Sequence, residues 1–207
     1  SPMTNATPPQ LAAKEMASHL LGGGAALLPT DTLPALAAAP DHAAQIWALK
    51  QRPQDKPLIL MASQADQLLA LTSEEARDDA EPLADRFWPG ALTLVLPVTS
   101  RLSQNLNPGR ATLGMRVPDC DVTRTLLSQS GPLATTSANA SGAPSSRSAA
   151  EAGAAFPDLP LLSPLPWPVP SGLASTVIAW TSPGCWQVLR QGAVMVDVTE
   201  TSPPCSG

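Results

Sequence analysis

Lys50, Arg52 and Lys56 set three cations within seven residues, on either side of Pro53. A planar guanidinium can grip a phosphate through two parallel N–H bonds, and an ammonium on a flexible stem adds a mobile point charge. Two uses fit the spacing: complementing the C-terminus of a preceding helix, or binding a phosphorylated ligand. Ser137-Ala-Asn139 lies in a run of small residues from Pro132 to Gly142. A strand-to-loop edge of that composition lets backbone N–H groups and short donors approach an anion closely, although the same residue types build ordinary loops. Thr30-Asp31-Thr32 closes an apolar segment, where its hydroxyls either form a turn or hold a small polar ligand. Arg116 stands at the inner end of the apolar stretch Ala111–Val117 and needs a partner there. Asp119, or the carboxylate of a substrate, would serve.

Other chemistries lack their residues. Ser137 has no Gly-x-Ser-x-Gly setting and no evident His–Asp pair, so a hydrolase triad is not expected. His19 and His42 stand apart and read as surface or capping residues rather than metal ligands; no metal site is expected. Gly22-Gly-Gly24 precedes a strand, whereas a phosphate loop follows one, so it reads as a helix stop. The five tryptophans are scattered, which suits core packing better than a stacking surface for RNA.

Elements alternate in a way that could position these groups. Residues 11–21 place Leu11, Met16, Leu20 and Leu21 on a helical face. Strands are expected at Ala25–Pro29, Pro57–Met61, Leu92–Leu96, Ala111–Val117 and Leu133–Thr136. Asp41 is a candidate N-cap for a helix that carries Ile46 and Leu49 and ends before Pro53. Further helices are expected over 64–87, interrupted at Pro82, and over 121–129 and 146–156. The alternation favours an α/β or α+β fold. Six prolines between Pro157 and Pro170 argue against regular helix or central strand over 157–174. That segment reads either as a lid or rim of a site or as a surface linker. Residues 1–9 and 199–207 are expected to be flexible.

A chain of 207 residues suits one well-buried domain, from residue 10 to 198. A net charge of −5 argues against a broad nucleic-acid surface but leaves room for a local anion site. Three widely spaced cysteines, Cys120, Cys185 and Cys205, do not suggest a disulfide framework. No apolar run is long enough to span a bilayer, and no basic segment followed by an apolar one opens the chain. A protein of the cytoplasm is expected.

Seven segments in order resemble the YrdC-like threonylcarbamoyl-AMP synthase family: Pro29-Thr-Asp-Thr32, Lys50-Gln-Arg-Pro53, Pro89-Gly-Ala-Leu-Thr93, Arg116-Val-Pro-Asp119, Ser137-Ala-Asn-Ala-Ser-Gly142, Ser175-Thr-Val177 and Arg190-Gln-Gly192. The resemblance implies one α/β domain with a twisted mixed sheet, flanking helices and a concave, positively charged cleft. It implies synthesis of threonylcarbamoyl-adenylate and pyrophosphate from L-threonine, bicarbonate or CO2, and ATP carrying Mg2+. That product feeds a downstream transferase machinery that modifies adenosine 37 of tRNA. Thr32, Met61, Arg116, Thr135 and Ser175 would bind threonine. Arg52, Lys56, Thr112, Ser137, Asn139, Ser145 and Arg190 would bind ATP, with Lys50 and Arg52 as the catalytic cations. Leu33-Pro-Ala-Leu-Ala37 replaces the family's Val-Tyr-Gly-Leu-Gly, and Met61 stands where many relatives have histidine. The alternatives are an RNA-binding or ribosome-associated role, and carbamoyl transfer from carbamoyl phosphate.

Overall fold

The computed structural model describes residues 9–51, 53, 56–98 and 100–198. The expected flexible ends at 1–8 and 199–207, and the expected phosphate ligand Arg52, lie outside the described residues. Pro9 is fixed: its carbonyl accepts the Leu161 amide at 2.8 Å.

Short runs of Leu, Ala, Val and Thr bounded by Gly and Pro give ten strands in one mixed sheet. These are β1 (Gln10–Leu11), β2 (Ala26–Leu28), β3 (Ala35–Ala38), β4 (Ile59–Met61), β5 (Leu92–Pro97), β6 (Thr112–Arg116), β7 (Leu133–Ser137), β8 (Leu161–Leu162), β9 (Thr176–Ser182) and β10 (Cys185–Arg190). Their order across the sheet is β1-β8-β2-β3-β7-β4-β6-β5-β9-β10. The helices are α1 (Ala13–Leu21), α2 (Ala44–Lys50), α3 (Ala65–Leu69), α4 (Glu74–Phe87), α5 (Arg101–Leu106), α6 (Asp121–Ser130) and α7 (Ala149–Ala155). Two apolar clusters hold them. The larger joins α2, α4 and α7 to the sheet through Ile46, Trp47, Ala80, Ala84 and Ala152. The smaller packs Met16 and Leu20 of α1 against Leu126 and Leu127 of α6.

Several expectations need correction. Pro82 does not interrupt its helix: α4 runs through it, and the break falls earlier, at residues 70–73. There Thr72 bridges to Val98 and its hydroxyl donates to the Pro97 carbonyl. Pro82 is exposed while Ala76, Ala80 and Ala84 seat the helix on the core, so packing outweighs the one lost backbone bond. Asp41 caps nothing; it lies in a single 3-10 turn, Pro40–His42, and α2 starts behind Ala43 without a side-chain cap.

The proline-rich stretch contains a strand after all. β8 pairs with both β1 and β2 in parallel, so it lies inside the sheet. Pro160 and Pro164 flank the two leucines and leave their amides free to pair. Trp167 is buried nearby and donates its indole N–H to the Leu162 carbonyl at 2.8 Å. Cys120 is a buried free thiol.

Candidate active site

The register of the sheet lays out one face of β7, β4, β6, β5, β9 and β10 in rows. Alternate residues on a strand share a face and lie about 6.6 Å apart. Met61 pairs with Arg116, Thr93 with Val177, and Val177 with Arg190. The next row joins Thr135, Ile59, Gly114 and Val95. Two residues further along stand Thr112 on β6 and Ser137 on β7. All these residues line one cavity of about 650 Å³. Gly114 keeps its middle clear, since a Cβ there would meet Ile59 Cδ1 at 2.6 Å.

Loops complete the walls. Thr32, Lys56, Arg110, Ser145, Ala174 and Ser175 also line the cavity. Its described lining therefore holds four cations, Lys56, Arg110, Arg116 and Arg190, and no carboxylate.

Arg116 is 3% exposed. Its Nη1 donates to Asp31 Oδ1 at 2.6 Å and to the Gly90 carbonyl at 3.1 Å, and its Nη2 to Thr32 Oγ1 at 3.0 Å. The intramolecular partner is thus Asp31, not Asp119. A guanidinium has five N–H donors; three are used here, leaving Nε–H and one Nη2–H. Gly90 serves this geometry directly. A Cβ on it would lie 2.2 Å from the Phe87 carbonyl oxygen, so only glycine lets its own carbonyl reach Arg116.

Ser175 is the centre of a second network. Its hydroxyl shares a hydrogen bond with Thr93 Oγ1 at 2.8 Å. Arg190 donates from Nε to the Ser175 carbonyl at 3.0 Å and from Nη2 to its hydroxyl at 3.2 Å. Burial, and then the charge of Arg116, lower the Arg190 pKa below its ordinary value. The guanidinium remains charged, and an anion between the two arginines would offset their repulsion. Gly192 brings the chain against this network, because a Cβ there would lie 2.3 Å from the Ala174 carbonyl oxygen.

Ser137 is fixed from behind. Lys50, buried at the end of α2, donates from Nζ to the Ser137 carbonyl at 2.7 Å and to its hydroxyl at 3.3 Å. Asn139 donates from Nδ2 to the carbonyls of Ala140 and Ala143, and Ser146 bonds the Ala138 carbonyl. Lys50 and Asn139 therefore shape the loop and do not line the cavity, unlike Thr32, Lys56, Met61, Thr112, Arg116, Thr135, Ser137, Ser145, Ser175 and Arg190. Sequence reasoning missed Thr93, Asn107 and Arg110 as lining residues. Thr93 was legible within the Pro89-Gly-Ala-Leu-Thr93 segment; the other two carried no signal.

The family model described as telomere recombination, for the Sua5, YciO and YrdC proteins, matches residues 18–192. The chain belongs to this family. Threonylcarbamoyl-AMP synthase of Bacillus subtilis is 39% identical over 142 residues, which are 66% of this chain and 40% of the relative. The mouse protein of the same name is 33% identical over 195 residues, 88% of this chain and 67% of the relative. The chain thus spans about two fifths of the bacterial relative's length. Among solved structures, Pyrococcus abyssi Sua5 complexed with L-threonine superposes with a TM-score of 0.79 at 31% identity, over 87% of this chain and 54% of that one. Escherichia coli YciO shares the fold at 22% identity, with a TM-score of 0.76 over 93% and 96% of the two chains.

Proposed function

We propose that this chain is a threonylcarbamoyl-AMP synthase. The supporting observation is the order of groups on one sheet face. Buried Arg116, with two N–H donors left, stands at one end, and a hydroxyl row on the Lys56 side of the cavity lies about 13 Å along β6. That sequence of donors matches an amino-acid carboxylate at one end and nucleotide phosphates at the other.

In this reading Arg116 takes the carboxylate of L-threonine, and Thr32, Thr135 and Ser175 offer hydroxyls to its remaining polar groups. Met61 packs beside the substrate. Lys56, Thr112, Ser137, Ser145, Arg190 and the undescribed Arg52 hold ATP. The amine adds to CO2, derived from bicarbonate, and loses a proton to give a carbamate. A carbamate oxygen then attacks the α-phosphorus, the bond to the bridging oxygen breaks, and pyrophosphate leaves with the electron pair. Such a displacement asks for positioning and charge neutralisation rather than a protein nucleophile. Mg2+ enters as part of the ATP substrate; among the described lining residues there is no carboxylate to hold it. Lys50 acts by holding Ser137 in place. The product passes to a transferase machinery that modifies adenosine 37 of tRNA in the cytoplasm. Among the described residues no helix is long and apolar enough to cross a membrane.

Pyrophosphate release from ATP, measured with each of the twenty amino acids and with or without bicarbonate, tests the reading. Threonine- and bicarbonate-dependent release is expected. Release that needs carbamoyl phosphate instead, or salt-sensitive RNA retention without release, would replace it with one of the two alternatives.

A further inference from the structure

We infer that Arg110 is a ligand for the terminal phosphates of the nucleotide and for the departing pyrophosphate. This assignment rests on the reading of the cleft as a nucleotide site and extends it to a residue outside the family's seven segments.

The placement follows from a locked turn. Helix α5 ends at Leu106, and the chain turns through Asn107-Pro108-Gly109-Arg110 into β6. The Arg110 amide donates to the Asn107 carbonyl at 3.1 Å, and Gly109 has φ +80°, which fits a type II turn with proline and then glycine at its centre. Asn107 Nδ2 donates to the Thr112 carbonyl at 3.0 Å, tying the turn to the strand it feeds. The Val98 amide donates to the Ala111 carbonyl at 2.9 Å and fixes the next residue as well. Arg110 therefore stands on a rigid base at the cleft wall.

Its neighbours define the ligand. Arg110, Thr112, Gly114 and Arg116 line the cavity at every second position along one strand and its approach. The Leu58 amide donates to the Leu106 carbonyl at 2.9 Å, which brings the Lys56–Pro57 segment beside the turn. Lys56 and Arg110 are both exposed, and among the described residues neither side chain engages an acid. Arg116 and Arg190, in contrast, are already bonded within the protein. Two uncommitted cations beside the Thr112 hydroxyl, at the far end from the carboxylate site, suit the most highly charged part of the substrates. A guanidinium there would neutralise charge that builds on the leaving pyrophosphate.

Calorimetric titration with inorganic pyrophosphate, AMP and L-threonine tests this on the full chain. Arg110→Ala is expected to weaken pyrophosphate binding about tenfold, a typical scale for a lost charge-assisted contact, while leaving AMP and threonine unchanged. Arg110→Lys should recover part of the loss, and the melting temperature should not move. Unchanged pyrophosphate affinity, an equal loss for AMP, or no pyrophosphate binding by the natural chain would overturn the assignment. Because these are binding equilibria, a chain that binds pyrophosphate through Arg110 but shows no threonine-dependent turnover would lose the synthase reading and keep this one.

Discussion

Arg116 makes three hydrogen bonds to its own chain, so it is both a structural and a binding residue. Arg116→Ala should lower stability by about 3 kcal/mol, because the buried end of Asp31 loses its counter-charge. An Asp31→Asn background should shrink that loss, which chemical denaturation of the single and double variants would measure. Met61 pairs in register with Arg116 and lines the cavity at 6% exposure. Its thioether packs but makes no strong hydrogen bond. Met61→His should therefore lower the apparent threonine constant about three- to tenfold, the scale of one added hydrogen bond, and leave that for ATP nearly unchanged. Steady-state kinetics that shift both constants together would count against the carboxylate end lying here. Arg116 was legible because a charge in an apolar strand demands a partner. That its partner is Asp31 was not legible, since Asp31 lies 85 residues away and only the fold brings it across.

At the scale of elements, proline and glycine act through geometry that depends on their neighbours. Pro82 leaves one carbonyl without its helical donor. Pro82→Ala should raise stability by about 2–3 kcal/mol, the interior helix penalty less a small gain in unfolded-state entropy, as read from the urea midpoint. Gly192→Ala should do the reverse. Its Cβ would press on the backbone at Ala174 and Ser175, so a loss of about 1–3 kcal/mol is expected, with weaker substrate binding because the Arg190–Ser175 bonds would shift. Among the described elements, β2, β4, β5, β6 and β7 and every helix but α5 were readable from apolar periodicity and breakers. β1, β3, β8, β9 and β10 were not; in β3, Ala35–Ala38 is an alanine-rich run without alternation. Pro34 and Ala35 enter it directly, and no residue there has positive φ, so the departure from the family pattern is absorbed as plain extended strand.

For the whole molecule, the proline-rich stretch links sheet and cleft. After β8 and Trp167 it crosses to the Thr30–Thr32 loop, where the Ser171 and Gly172 amides donate to the Asp31 and Thr32 carbonyls at 3.0 Å each. Ala174 and Ser175 then enter the cavity wall. Ligands that tighten Arg116 on Asp31 and Thr32 should therefore steady this strap. Hydrogen exchange at Ser171 and Gly172 is expected to slow when threonine and a non-hydrolysable ATP analogue are both present. Equal exchange with and without ligands would make the strap a fixed wall.

Local chemistry is legible along the chain alone. Its cations, small hydroxyl residues and glycines lie in short segments, and each segment's strand, turn or helix end follows from apolar spacing and backbone-restricted residues. It also determined the family, since the seven segments keep their order. What the chain could not express locally came from long-range pairing. Strand register set Met61, Arg116, Thr93, Val177 and Arg190 in one row. Folding turned Lys50 inward to hold Ser137, placed Arg110 on the cleft wall, and slotted two leucines between prolines into the sheet. These outcomes depend on partners tens of residues away. Pairing and burial are properties of both partners together, and no spacing within one segment encodes them.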